Sequence, residues 1–428
     1  MSRRQGLHIP LFDSENVARV RMASGSASET AQLSSSLPPL PEKRIVLGCG
    51  GAGVDYLAVV KQFPQPDDKM RCVSAKVEGG GNAANTLTCT ARLGLRPRLI
   101  TKVANDGLGK NILDELESDG VDTKYIVVSK DGNSPFTYVI VDPQTKTRTC
   151  IFTPGDPPMV LDDLSPSSVS SALSGTSLVY FDGRLQETAL VIAKEASNLG
   201  IPILVDAERK REGLDDLLNL ADYVVCSAKF PQASVLISPL TFFAFPAWTG
   251  APTVPSALIA MLLKLPQTKF VIVTLGESGS VMLERSLHGP GMDNMDVDNL
   301  FNSLKQNIDD SSIMPTCFPS EVVMLRADGI GQVTGRIIIG TAEKIPPSEL
   351  IDTTGAGDAF IGAGLFFSLL MATTTDVFSS YYCVGVCAGM MPEKMLPFAA
   401  QVAAANCRAL GARSGLPLRS DARLAPLL

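Results

Sequence analysis

The sequence has little histidine and no CxxC pair, and both absences limit the chemistry that the protein can perform. Its 428 residues include two histidines, His8 and His288, and nine cysteines without a CxxC pair. Histidine-based catalytic triads and zinc sites are therefore not expected, and the cysteines are interpreted as reduced intracellular thiols. Catalysis must depend on carboxylates, backbone groups, Arg or Lys, and no metal site built from protein ligands is expected.

Basic charge and long apolar runs are also lacking. The formal net charge is −7, which disfavours a nucleic-acid partner. Each apolar run is shorter than the roughly 20 residues that a membrane span needs. With 45% hydrophobic and 19% charged residues, the composition is that of a soluble globular protein. A small-molecule partner is therefore expected, without nucleic acid or membrane.

The most informative stretch is DTTGAGDAFIGA, residues 352–363. Gly355, Ala356 and Gly357 are small and precede an apolar run that predicts a buried helix. Backbone N–H groups of a glycine-rich loop, joined to a helix N-terminus, attract an anion and above all a phosphate. Asp358 adds a carboxylate that suits removal of a proton from an attacking hydroxyl. The stretch predicts phosphoryl transfer to an alcohol.

A second informative stretch is GGGN, residues 79–82. It opens a predicted helix that closes at Gly94, and it places Asn82 and Asn85 in the first turn. Amide side chains donate and accept hydrogen bonds, which suits a polyol, but ordinary N-capping by asparagine is the structural alternative.

The run GCGGAG, residues 48–53, satisfies the GxGxxG pattern of dinucleotide-binding proteins. A dinucleotide site needs a full helix directly afterwards, and here Pro64 and Pro66 follow too soon. An NAD-dependent oxidoreductase is therefore the lowest-ranked function. Farther along the chain, strand-like and helix-like segments alternate, which predicts a parallel sheet covered on both faces.

The run DTTGAGDAF resembles the C-terminal signature of the PfkB family of sugar kinases, and the run DDKMRCVSAKVEGGGNAANTLTCTARLG, residues 67–94, resembles its N-terminal signature. In motif detail the ketohexokinase-like members are the most similar. The resemblance implies a ribokinase-like α/β fold, a three-layer α/β/α sandwich with a small β-sheet lid. The lid strands would lie near residues 55–78 and 136–153.

The resemblance also implies roles for particular residues. Asp358 would be the general base, and Gly355, Ala356 and Gly357 would form the anion hole. The sugar contacts would be Asp55, Gly81, Asn82 and Asn85. The ATP contacts would be Thr274, Gly276, Gly279, Asn406, Cys407 and Gly411. Arg148 is either a phosphate contact or a solvated strand charge. ATP and Mg²⁺ are implied, but CSAKF, residues 226–230, replaces the family's NxxE motif and leaves the metal's protein contacts undefined.

The domain prediction has a kinase domain over residues 42–420. Residues 1–41 are expected to be a disordered tail. The predicted location is the cytoplasm, and a plastid or mitochondrion is the alternative if this tail is a transit peptide. Three stretches depart from the family as inserts, residues 234–246, 287–320 and 371–386. The second is expected to be a mobile surface loop. The first and third are hypothesised to be splicing or gene-model insertions that affect activity.

The predicted function is ATP-dependent phosphorylation of a hydroxyl on a small sugar or polyol. A nucleoside kinase of the same family and an inactive PfkB-like binding or scaffolding protein remain alternatives. The exposed edge of the predicted lid further suggests a homodimer formed through it.

Overall fold

In the computed structural model, residues 40, 44–231, 248–286, 294–372 and 392–428 are described. Of the predicted tail only Leu40 belongs to these residues, and the insert at 234–246 lies outside them. Of the insert at 371–386, only residues 371 and 372 are included, at the end of a helix. The predictions for the tail and for these two inserts stay predictions.

The strands of the described residues are β1 (Ile45–Cys49), β2 (Gly53–Val59), β3 (Ser74–Gly80), β4 (Arg96–Ala104), β5 (Ile126–Ser129), β6 (Phe136–Asp142), β7 (Thr147–Thr153), β8 (Thr176–Phe181), β9 (Ile203–Asp206), β10 (Tyr223–Ser227), β11 (Phe270–Thr274), β12 (Ser280–Arg285), β13 (Asn294–Asp296), β14 (Cys317–Pro319), β15 (Val323–Ala327) and β16 (Gly331–Gly340). The helices are α1 (Asn82–Arg92), α2 (Gly107–Ser118), α3 (Pro166–Leu173), α4 (Gln186–Asn198), α5 (Leu214–Leu218), α6 (Val254–Lys264), α7 (Val297–Lys305), α8 (Ala356–Ala372) and α9 (Pro392–Asn406).

Twelve strands form one large sheet in the order β13-β15-β16-β12-β11-β10-β9-β8-β1-β4-β5, with β14 paired to β16. From β11 to β5 every neighbouring pair is parallel, as the alternation of strands and helices predicts. From β11 to β15 the pairs are antiparallel. The parallel prediction is confirmed for β8, β9 and β10, the strands from which it was made, and β12, β16 and β15 add an antiparallel part to the sheet. The reason for the antiparallel part is local, because the short TLGESG turn between β11 and β12 can join only antiparallel neighbours.

Helices cover both faces of the large sheet. One buried cluster joins α1, α2, α8 and α9 to the sheet, and the other joins α3, α4, α5, α6 and α7 to the opposite face. Close packing of α1 on α8 depends on Gly362, where a Cβ would lie 2.7 Å from the Cβ of Cys89. The Thr86 hydroxyl donates to the carbonyl of Asp358 at 3.3 Å across the same contact. The predicted three-layer α/β/α fold is confirmed, and its α1–α8 contact brings two predicted site regions together.

The lid is a separate four-stranded sheet in the order β3-β2-β6-β7. Leu57, Val139 and Val141 form its small buried cluster, against which Leu410 packs from the C-terminal segment. Other apolar side chains of the sheet are exposed, namely Val77, Tyr138, Ile151 and Phe152.

Residues 294–320 differ from the mobile loop that was expected. They include β13, α7 and β14, which pair with or pack on the large sheet. Val297 and Leu304 of α7 are buried, and Asp296 caps the helix by accepting from the amide of Asn299 at 2.9 Å. The polar composition hid this helix, although the apolar spacing in VDNLFNSL follows its buried face.

Candidate active site

The loop before α8 places unused backbone donors at a helix N-terminus. The amides of Gly355, Gly357 and Asp358 donate no hydrogen bond to any part of the chain that the structure describes. A Cβ built on Gly357 would meet no atom within 4 Å, so the loop is open on that side. Unsatisfied donors at the positive end of a helix dipole favour an anion. The predicted anion hole therefore has suitable local geometry.

Asp352 anchors this loop from its buried position. Its Oδ1 accepts from the amide and the hydroxyl of Thr354, at 3.0 and 2.8 Å. Its Oδ2 accepts from the amide of Gly411 at 2.9 Å. Asn406 donates from Nδ2 to the carbonyl of Thr354 at 2.9 Å, and the carbonyl of Cys407 accepts from the amide of Asp352 at 3.2 Å. Asn406, Cys407 and Gly411, three of the predicted ATP contacts, thus directly hold the loop in this structure.

Asp358 lies in the first turn of α8 and faces α1. Its Oδ2 accepts a hydrogen bond from Nδ2 of Asn85 at 2.9 Å. Burial raises the pKa of Asp358 to about 7 despite this hydrogen bond, which lowers it, and the negative charges of Glu208 and Asp182 add to the rise. A carboxylate that titrates near neutral pH has the proton affinity that suits a general base.

Asp55 is a second buried carboxylate, on strand β2 of the lid. It pairs with Glu78 of β3 and Thr137 of β6, and it packs against Gly80, where a Cβ would lie 2.2 Å from its Oδ1. Burial raises the pKa of Asp55 to about 6, although a hydrogen bond from Thr137 and the charge of Arg413 lower it. A buried carboxylate next to a glycine is suited to accept hydrogen bonds from a hydroxylated ligand.

The start of α1 differs from an asparagine N-cap. Gly81 occupies the cap position with φ +91°, without a side-chain capping bond, and a Cβ there would lie 2.6 Å from the carbonyl oxygen of Gly51. Asp182 supplies a remote cap instead, because its Oδ2 accepts from the amides of Gly51 and Ala83 at 2.7 and 3.3 Å. Ordinary N-capping therefore does not explain Asn82, whose Nδ2 has no partner among the described residues.

A charged cluster that no sequence motif indicated lies after β8 and β9. Arg184 donates to Oδ1 of Asn82 and to Oε2 of Glu208, both at 3.3 Å, and Arg211 donates to the same Glu208 oxygen at 2.9 Å. Burial opposes ionisation of Glu208, yet the neighbouring guanidinium groups outweigh it and lower its pKa to about 2. The sequence did contain a signal for this cluster. FDGR and VDAER end two predicted parallel strands, and the carboxyl ends of such strands lie at one edge of the sheet, so their charged side chains are expected to lie close together.

Arg148 reaches from the lid to the loop. It lies on β7, and its Nη1 donates to the hydroxyl of Thr353 at 2.9 Å. Arg148 remains exposed, as a solvated strand charge would be. Its guanidinium is nevertheless held beside the GAGD loop, so solvation alone does not describe its environment.

The TLGESG turn ends β11 at the same edge of the sheet. The Thr274 hydroxyl donates to the carbonyl of Cys226 at 3.4 Å. Gly276 has φ +63° and open space around its Cα, whereas a Cβ on Gly279 would lie 2.0 Å from the carbonyl oxygen of Gly340. Gly279 is thus required by the close approach of β16, and Gly276 leaves an open surface.

No resident metal site is found where the structure describes the chain. Within the ranges given above, no group of three or more His, Cys, Asp or Glu side chains could hold a metal ion. The Glu208 carboxylate already accepts hydrogen bonds from arginine side chains.

No helix in the described ranges is both long enough and apolar enough to cross a membrane.

The three-layer sandwich, the β-sheet lid and the GAGD loop at a helix N-terminus together define a ribokinase-like kinase. The family model of the pfkB family of carbohydrate kinases matches residues 49–294. The chain belongs to this family, and the prediction of an ATP-dependent carbohydrate kinase is confirmed at that level.

Curated relatives and a solved structure agree with this assignment. Ketohexokinase of Mus musculus is 25% identical over 195 residues, which cover 44% of this chain and 64% of that protein. Ribokinase of Mus musculus is 21% identical over 385 residues, covering 90% of this chain and 95% of that protein. The structure of Arabidopsis thaliana ribokinase complexed with ribose and ATP is 17% identical, with a TM-score of 0.57, and the alignment covers 91% of this chain and 99% of that one.

Proposed function

We propose that this protein transfers the γ-phosphoryl group of ATP to a hydroxyl of a small sugar or polyol, with Asp358 as general base. The observation that carries the proposal is the position of this carboxylate. It follows a glycine loop whose Gly355 and Gly357 amides donate to none of the described residues, and burial raises the pKa of Asp358 to about 7. The family membership and the ribose and ATP bound to the Arabidopsis thaliana ribokinase support the same chemistry.

In the proposed reaction, the acceptor hydroxyl gives its proton to Asp358 as its oxygen attacks the γ-phosphorus. The bond between that phosphorus and the β,γ-bridging oxygen breaks, and ADP leaves with the bond's electron pair. The amides of Gly355 and Gly357 would stabilise charge on the phosphoryl oxygens, together with the amide of Ala356, which donates to the carbonyl of Thr353 at 3.3 Å in this structure. Arg148, held beside the loop by Thr353, would contribute a positive charge from the lid side.

The acceptor would bind between the lid and α1. Asp55 would accept hydrogen bonds from the acceptor's hydroxyls, and Asn82 would contribute Nδ2, which has no partner among the described residues. Gly81 would let the acceptor approach the backbone closely. Asn85 belongs to this group by resemblance, but both ends of its amide are already hydrogen-bonded to protein groups. Its main contribution would therefore be to orient Asp358.

The nucleotide would lie over the loop and the TLGESG turn. Thr274, Gly276 and Gly279 would line the nucleotide on one side, and Asn406, Cys407 and Gly411 would lie near its base. Mg²⁺ would arrive with ATP as part of that substrate, because the described carboxylates form no metal-binding group.

The test is ADP release by the purified chain with Mg·ATP, measured across ketoses, pentoses, other polyols and nucleosides. Turnover on a sugar or polyol is the expected result and would identify the acceptor. Preference for a nucleoside would replace the sugar-kinase proposal with its nucleoside-kinase alternative. Silence across the panel, with ATP still bound in a titration, would overturn the proposed activity in favour of a binding or scaffolding protein.

We also propose a homodimer through the lid. Its edge strands β3 and β7 have unpaired outer sides among the described residues, and Val77, Ile151 and Phe152 are more than half exposed on them. Burying such apolar surface would stabilise a dimer. Light scattering should report twice the chain mass, and Ile151→Lys should shift it to monomer, whereas Leu199→Lys on an exposed site outside the lid should not. A monomeric unmodified chain at micromolar concentration would rule this dimer out.

A further inference from the structure

Arg413 is a buried arginine next to the site that no sequence motif identified. It follows α9, and only 2% of it is exposed. Its Nε donates to Oδ1 of Asn85 at 2.9 Å, its Nη2 to the carbonyl of Gly80 at 3.0 Å, and its Nη1 to Glu115 at 3.3 Å. One guanidinium therefore joins the C-terminal segment to the lid strand β3, to α1 and to α2.

The contact with Asn85 fixes which end of that amide faces the base. An arginine side chain has only donors, so it can pair only with the amide oxygen. With Oδ1 held by Arg413, Nδ2 is directed to Asp358, where it donates at 2.9 Å. A reversed amide would place an oxygen against the carboxylate and an NH₂ group against the guanidinium, so both contacts would be repulsive.

We propose that Arg413 is a positioning residue, which acts through Asn85 to hold Asp358 in the geometry and protonation state that proton removal requires. This inference rests on the proposed function, because it assumes that Asp358 is the base. It adds a link from that base to the lid, since the same guanidinium donates to the carbonyl of Gly80 at the end of β3.

Other charged and titratable groups also surround the pair. The groups that interact electrostatically with Asp358 lie on α1, β7, β8 and β9 and on the segments that follow these strands. They are Cys89, Arg148, Tyr180, Asp182, Asp206 and Glu208. Those around Arg413 are Asp55, Glu78, Glu115 and Asp119. Because Arg413 lowers the pKa of Asp55 as well, a pH–rate profile alone does not separate the two carboxylates.

The test therefore follows Asp358 itself. In protein labelled with ¹³C at aspartate side chains, the Asp358 resonance is the one that disappears in Asp358→Asn. Arg413→Met should raise its titration midpoint by about one pH unit, because Asn85 no longer holds its donor toward the carboxylate. The acid limb of the kcat profile should move upward with it, and kcat should recover at pH values above the new midpoint.

Matched variants separate positioning from general loss of structure. Glu115→Gln removes a charge partner of Arg413 but not its contact with Asn85, so the Asp358 midpoint should stay unchanged. In an Asn85→Ala background, Arg413→Met should shift the midpoint no further. Should Arg413→Met not fold, Arg413→Lys keeps the buried charge, but its single ammonium cannot reach Asn85, Gly80 and Glu115 together. It should shift the midpoint in the same direction by less.

An unchanged Asp358 midpoint in a folded Arg413 variant, or an equal further shift without Asn85, would overturn the positioning role. Failure of the proposed function has a different signature. In that case the wild-type chain shows no turnover on any acceptor, while the ¹³C titration still responds to Arg413 through Asn85.

Discussion

Replacing Asp358 by asparagine should lower kcat for the best acceptor by about 10²–10⁴-fold, which is the range that a general base contributes. Asparagine keeps the size of the side chain and its contact with α1, but it cannot take a proton from the acceptor. The amide donors of the loop remain, so ATP affinity should change little. Steady-state kinetics and a calorimetric ATP titration on the same preparation measure both quantities.

Asp328→Asn is the matched control for this variant. It makes the same chemical change at a surface turn, where the side chain is 77% exposed and pairs with Arg326. Exposed ion pairs contribute about 0–1 kcal/mol to stability, and kcat should be unchanged. Wild-type kcat in Asp358→Asn would refute its assignment as base, and a loss in both variants would show that the assay reports damage unrelated to the site.

The part of the site that local sequence pattern determines was predictable. DTTGAGD carries its own turn, helix start and carboxylate within a few residues, and GGGN carries the glycine turn and the first residue of α1. The fold followed from the alternation of strands and helices and from the family resemblance. These features depend on contacts between near neighbours in the chain, so short motifs are sufficient to indicate them.

The missed residues depend on contacts between distant parts of the chain. Asp182 caps α1 from 99 residues beyond Ala83. Arg413 reaches Asn85 across 328 residues. A single arginine in GARSG or aspartate in FDGR looks the same in a sequence whether it is solvated or buried. Only the packing of α1, α8 and the C-terminal segment shows that these two charges hold the site together.

The glycines of the site also show what sequence pattern cannot distinguish. Gly81, Gly355 and Gly411 were all predicted to contact ligands, yet each one also permits a close contact within the protein. A Cβ would lie 2.6 Å from Ala52 at Gly81, 2.7 Å from Ala412 at Gly355, and 1.5 Å from Glu78 at Gly411. All three have positive φ. Sequence pattern alone does not distinguish a glycine that the fold needs from one that a ligand needs.

Alanine substitutions at Gly355 and Gly357 should distinguish a glycine that the fold requires from one that the ligand requires. Gly355→Ala places a Cβ in a left-handed residue with φ +73° and against the backbone of Ala412. It should destabilise the protein by about 2 kcal/mol or more, from strained backbone and overpacking together. Gly357→Ala meets no atom within 4 Å and lies in the first turn of α8. It should keep or slightly raise the melting temperature, because alanine favours a helix over glycine by about 0.5–1 kcal/mol.

The effect of Gly357→Ala on catalysis should have the opposite sign. Its methyl group would enter the open space in which the transferred phosphoryl group is proposed to lie, and it would move that group away from the loop amides. Loss of one such donor interaction lowers the rate on the order of 10²-fold, so kcat/KM should fall by about that factor. A more stable protein with a slower reaction would be hard to explain by misfolding. Full activity in this variant would show that the loop does not hold the phosphoryl group at Gly357.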